Sequence, residues 1–159
     1  MKTLKEFMAR RKYIAVKYDD ESQKKLRDWA TSNGFDLSVK YNGEEQSPED
    51  FDFHTTIFYT TNEVNLRNQV IPKKPTEVTI TGIKFLGENE DIPVLTVSAS
   101  GGINELRQYY EDLGLEDQWP SYQPHISLSY AKKQVDVSGV KLPDFKPTYD
   151  RVEIKDIED

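Results

Sequence analysis

Residues 53–60 read FHTTIFYT, and residues 121–130 read SYQPHISLSY. Both stretches are rich in β-branched and aromatic side chains, so each is predicted to be a strand. Side chains alternate across a strand, and residues two apart share a face. His54 and Thr56 therefore project together, as do His125 and Ser127, while Thr55 and Ile126 point the other way. Ile57, Tyr59, Leu128 and Tyr130 are expected to carry that alternation on to a packed far side. The chain has only two histidines, and each opens a His-x-hydroxyl triplet.

Outward from these two strands, the pattern divides the chain into short elements. Thr3–Arg11 (TLKEFMARR) is predicted to be a leading helix, with Leu4, Phe7 and Met8 at helical spacing. Tyr13–Tyr18 (YIAVKY) reads as a strand. Asp20 or Ser22 can then cap a helix with Leu26, Trp29 and Ala30 on one face, ended by Asn33-Gly34. Residues 34–52 are polar, with an Asn42-Gly43 turn signal, and are expected to form a loop holding at most one short strand at 36–41. Two strands are expected at Glu77–Leu86 and Pro93–Ala99, joined by a hairpin at 87–91. Gly101-Gly102 leads tightly into a helix with Ile103, Leu106, Tyr110 and Leu113 on one face. Tyr149–Ile157 (YDRVEIKDI) is the last alternating strand. The order is coarsely duplicated, since each half holds a helix followed by a histidine-bearing strand. It predicts one α+β domain over residues 1–159 with a largely antiparallel sheet.

Composition narrows the function. The chain has 159 residues, 36% hydrophobic and 31% charged, enough for one domain with a proper core. It has no cysteine, so disulfides and thiolate metal sites are excluded, which fits a reducing cytosol. No apolar run approaches the roughly 20 residues of a membrane span, and the basic start lacks the apolar stretch of a signal peptide. A cytoplasmic protein with no membrane partner is expected. The formal charge is −7 and the pI about 5.0. Binding to duplex nucleic acid through non-specific phosphate contacts calls for a basic surface, so a small nucleotide in a local pocket is favoured. Two histidines without cysteine do not make a structural zinc site, and the acidic run 44–52 lacks the ligand spacing of a calcium loop. Neither metal nor cofactor is expected.

Paired imidazoles beside paired hydroxyls suit phosphodiester chemistry. A neutral imidazole can take the proton of an attacking hydroxyl, while a protonated one gives a proton to the leaving oxygen. Thr56 and Ser127 can donate to the non-bridging phosphate oxygens, whose charge grows in the transition state. One such triplet would usually be an ordinary hydrogen-bonded strand histidine. Two of them, one in each half and together using every histidine, point to a site.

His54-Thr55-Thr56-Ile57 and Pro124-His125-Ile126-Ser127-Leu128 resemble the two motifs of the 2H phosphoesterases, and the likeness runs from Tyr13 to Glu153. The resemblance implies a bilobal α+β domain with helices on the outer faces and the two motifs facing across a central cleft. It also implies His54 and His125 as the acid–base pair and Thr56 and Ser127 as the phosphate-holding hydroxyls. Within that family the chain is most similar to the phage anti-CBASS nucleases, which degrade cyclic di- and trinucleotide messengers of a bacterial defence system. A ribose 2′-oxygen would then attack phosphorus and leave a 2′,3′-cyclic phosphate. Which histidine acts as base stays open.

Base stacking needs aromatic faces. Tyr18 is the first candidate, with Tyr13, Trp119 and Tyr122 behind it, and Glu153 could accept hydrogen bonds from a base edge. Other readings are a 2H phosphodiesterase for RNA ends or 2′–5′ oligonucleotides, a non-catalytic cyclic-nucleotide sponge, and a plain interaction protein. Sheet edges and the 34–52 loop allow a homodimer without requiring one.

Overall fold

Ile14, Val16 and Tyr18 are fully buried at alternate positions of one strand, whereas on the opposite face Ala15 is buried but Tyr13 and Lys17 are only partly covered. That alternation sets β1 (Lys12–Tyr18) as an inner strand with one face on the core. A computed structural model describes residues 11–87, 89–100, 102–118, 122–131 and 135–157. The expected leading helix lies outside them but for Arg11, as do Gly101, Trp119 and Ser121.

β1 pairs antiparallel with β2 (His54–Tyr59) on one side and β7 (Thr148–Asp156) on the other, and β3 (Gln69–Glu77) pairs on the outside of β7. The first sheet therefore runs β2-β1-β7-β3. A second sheet runs β4-β5-β6, from β4 (Ile80–Leu86), β5 (Ile92–Val97) and β6 (His125–Ser127). All the pairings are antiparallel. The two histidine strands are thus edge strands of different sheets, and they lie against each other at the seam. The Tyr122 hydroxyl, just before β6, crosses that seam to donate to the Thr56 carbonyl at 2.8 Å. One buried cluster joins both sheets and both helices, α1 (Asp20–Ser32) and α2 (Ile103–Asp112). The helices bury Leu26, Ala30, Ile103 and Tyr110 in it and leave their polar faces outward.

Several expectations need correction. The α1 cap is Asp19, which has extended backbone and accepts from the Ser22 amide at 2.8 Å. Ser22 Oγ instead accepts from the Thr148 amide at 2.8 Å, tying the helix start to β7. The strand expected at 36–41 shrinks to a single Val39↔Glu45 bridge. Glu77 belongs to β3, not β4. β3 was missed because Pro72 and Pro75 break its pattern; proline lacks an N–H and is tolerated on an edge strand, and the register to β7 shifts between Pro72 and Thr76. Leu113, expected on the inner face of α2, is the exposed C-cap.

The alternation expected after His54 also fails, for a local reason. Ile14 pairs with Phe58 but Ala15 with Thr56, so Ile57 is the extra residue of a β-bulge. Beyond it the faces exchange: Phe58 is buried, and Tyr59 stands edge-on to Tyr13 at 6.3 Å instead of on the far side. Arg107 of α2 donates to the freed Ile57 carbonyl at 2.6 Å and to Asp117 at 2.7 Å. Its guanidinium lies between the rings of Phe58 and Tyr122, 4.4 and 3.8 Å from their centroids. A bulge carbonyl, a helix and the seam are thereby joined by one cation.

Gly102 enters α2 with φ 99°, and a Cβ there would collide with the Tyr149 hydroxyl of β7. Gly102→Ala is expected to destabilise the protein by more than about 1 kcal/mol, because it combines a left-handed backbone with a clash. Urea unfolding followed by tyrosine and tryptophan fluorescence measures this, and an unchanged midpoint would contradict it.

Candidate active site

The two triplets are built alike. His54 Nδ1 lies 3.0 Å from the Asp52 carbonyl, and His125 Nδ1 lies 2.9 Å from the Gln123 carbonyl, in each case two residues earlier. A carbonyl oxygen can only accept, so Nδ1 carries the proton and Nε2 is left with a lone pair in the neutral ring. Each hydroxyl also meets a tyrosine: Thr56 is hydrogen-bonded by the Tyr13 side chain, and Ser127 by that of Tyr130. β2 and β6 touch at the seam, which sets the two half-sites side by side. His54, Thr56, His125 and Ser127 are all partly exposed, whereas Thr55 and Ile126 between them are fully buried. Strand alternation accounts for that contrast.

The surroundings of the histidines differ. Lys17 is the cross-strand partner of His54. Its ammonium is ion-paired to Asp52 and, at 2.8 Å, to Glu153, which also takes Lys155 at 2.8 Å. Burial and, next, the Lys17 charge push the His54 pKa down to about 4, against an opposite pull from the Asp52 carbonyl and the Asp52 and Glu153 carboxylates. His125 faces the neutral Thr96. Burial lowers its pKa too, with the Gln123 carbonyl opposing and the more distant Lys84 adding to the effect. Both imidazoles are therefore neutral at pH 7. Burial works against the Glu153 charge, but hydrogen bonds from Lys155 and Lys17 outweigh it and hold its carboxyl below the usual range.

Of the expected stacking residues, Tyr18 is misplaced. It shares its face with Ile14 and Val16, is fully buried, and bonds Thr55 Oγ1 at 2.7 Å on the side away from the histidines. No base can reach it. Tyr13 does lie on the histidine side, edge-on to His54 at 5.7 Å. Tyr122 spends its hydroxyl on Thr56 and one ring face on Arg107, so it braces the seam. Glu153 shares the face of β7 that carries Arg151 and Lys155 and is 8% exposed, held by its two lysines. Trp119 is outside the described residues.

Lys17, Asp52, Arg107 and Tyr130 were missed. Lys17 had a signal, since it has the parity of Tyr13 in β1. Tyr130 had none, because beyond β6 its ring turns back to stack on Phe51 at 5.5 Å, with its hydroxyl on Ser127. A concavity of about 510 Å³ between α2 and β3 touches neither histidine. Among the described residues no group of three or more His, Asp or Glu side chains is placed to hold a metal, and no helix is long and apolar enough to cross a membrane.

Each half-site thus holds one imidazole with Nε2 unengaged by its Nδ1 carbonyl contact, and one strand hydroxyl two residues on. A family model described as "Anti-CBASS protein Acb1" matches residues 10–151. A solved structure described as "Crystal structure of phosphoesterase" is 14% identical, with a TM-score of 0.50, covering 92% of this chain and 87% of its own. The structure of E. coli LigT complexed with 3′-AMP is 11% identical, with a TM-score of 0.43, covering 92% and 86%. No curated protein matches the chain.

Proposed function

The chain belongs to the anti-CBASS protein Acb1 family and has a 2H-phosphoesterase fold, and from that membership and the twinned triplets we propose a metal-independent phosphodiesterase that cuts 3′–5′ bonds of cyclic di- and trinucleotides. Its role is to blunt CBASS defence, acting in the host cytoplasm. The observation that carries the chemistry is the repeated half-site, in which each histidine is held at Nδ1 by a carbonyl and paired with a hydroxyl.

One histidine takes the ribose 2′-hydroxyl proton through Nε2 as the 2′-oxygen bonds to phosphorus. The P–O5′ bond breaks, and the other histidine, protonated at Nε2, gives its proton to the 5′-oxygen. The histidines exchange roles if water later opens the 2′,3′-cyclic phosphate. Thr56 and Ser127 donate to the non-bridging oxygens, and Tyr13 and Tyr130 hold those hydroxyls in place. An arriving phosphate favours the imidazolium, which supplies the acid form that is scarce in the free enzyme at neutral pH. Tyr13 is the aromatic face available to a base, and Glu153 the acceptor for a base edge.

The test is incubation in excess EDTA with a panel of cyclic di- and trinucleotides and a 2′–5′ linear oligoadenylate, with products read by mass spectrometry. Cleavage of the cyclic compounds supports the proposal. Cleavage of only the linear compound moves the protein to RNA-end or 2′–5′ processing. Tight retention without conversion makes it a sponge.

A further inference from the structure

The twinned half-sites differ in one respect, the charge set against each imidazole. Lys17 stands opposite His54 in the β1–β2 register, 14% exposed and clamped between Asp52 and Glu153. The same position across from His125 holds Thr96, an uncharged residue tied to Thr81 at 2.8 Å. Lys84 is on β4, beyond β5, and pairs with Val94 rather than with a site residue. Directly opposed cross-strand residues have Cβ atoms about 4.5–5.5 Å apart, whereas a second strand over is about 10 Å. One imidazole thus has a fixed ammonium as its neighbour and the other does not.

We propose that Lys17 is a positioning residue that keeps His54 unprotonated, so that His54 accepts the 2′-hydroxyl proton and His125 protonates the leaving 5′-oxygen. The assignment rests on the phosphodiesterase reading above. The groups facing His54 are Tyr13 and Lys17 from β1, Asp52 from the loop before β2, and Glu153 from β7, with Arg151 and Lys155 flanking Glu153. The two carboxylates pull a proton toward His54, and Lys17 opposes them in two ways, by its own charge and by pairing with both. In the bond-breaking step the 2′-hydroxyl proton passes to His54 Nε2, O2′–P forms, P–O5′ breaks with its electron pair on O5′, and the His125 Nε2 proton follows. His54 ends as the imidazolium and His125 neutral, ready for hydrolysis in reverse roles.

Two experiments decide it. In Lys17→Gln the His54 NMR titration midpoint is expected to rise by about one pH unit, since a cation is lost and two carboxylates are released. Lys17→Arg should leave it near the parent, and the exposed Asp52→Asn should shift it down. With only two histidines the signals separate cleanly, and His125 should barely move. A His54 midpoint that stays put in folded Lys17→Gln and Asp52→Asn overturns the role of Lys17, whatever the turnover. The second experiment replaces the leaving 5′-oxygen with sulfur, because a thiol of pKa about 8.5 departs with little help from an acid. His125→Ala should then recover to within about tenfold of the parent, while His54→Ala stays at least about a hundredfold slower. Recovery of His54→Ala instead overturns the assignment. If the parent cleaves neither the oxygen nor the sulfur substrate while the NMR shift is present, the phosphodiesterase reading fails and the effect of Lys17 on His54 stands.

Discussion

His54→Ala and His125→Ala are each expected to lower kcat/KM on a cyclic dinucleotide by about 10²–10⁴-fold, the range carried by one acid or base group. The double variant should be little worse than the poorer single one, since the two groups act as a unit on one displacement at phosphorus. The folded state should survive: each imidazole makes a single hydrogen bond to a carbonyl, worth about 1 kcal/mol. Unchanged ligand retention by the variants separates lost chemistry from lost binding. The parent's pH profile checks the same pair. kcat/KM reports the free enzyme, in which burial and Lys17 bring His54 to about 4 and burial brings His125 below its ordinary value. The acidic limb, where His54 takes up its proton, should lie near pH 4, and the basic limb, where His125 loses its own, below 6.5. The optimum is therefore expected on the acid side of neutrality. A plateau extending above pH 8 would contradict the pair as the acid and base.

The second large effect is on the substrate. A cyclic dinucleotide with 2′-deoxyribose beside the scissile phosphate should not be cleaved detectably. The attacking oxygen is then missing, and water cannot match the effective concentration of a neighbouring hydroxyl, which reaches roughly 10⁵ M or more. Binding should survive, because one hydroxyl's hydrogen bond is worth only about 0.5–1.5 kcal/mol. The deoxy compound is thus expected to act as a competitive inhibitor within about tenfold of the substrate's KM. Cleavage of it at a comparable rate would mean direct attack by water and would remove the 2′-oxygen from the mechanism.

What was legible from residues alone had a local cause. His54 with Thr56 and His125 with Ser127 share faces because a strand alternates, and the buried Thr55 and Ile126 follow from the same rule. Tyr18 could have been placed as well, since it has the parity of Ile14 and Val16; its end-of-strand position gave a misleading impression of access. β3 hid behind Pro72 and Pro75, which an outer strand tolerates and an inner one does not.

The sequence by itself determined the α+β class, the antiparallel strands and the four residues of the two triplets, because hydrophobic period and strand parity act over neighbouring positions. Only the tertiary structure decided how these meet. It set two sheet edges against each other, inserted the Ile57 bulge that turns Tyr59 about and gives Arg107 its carbonyl, and brought Tyr130 back on to Ser127. It also gathered Lys17, Asp52 and Glu153 around His54 but left His125 opposite Thr96. Those contacts join residues far apart along the chain, and their choice depends on register and packing among whole elements, which no local pattern encodes.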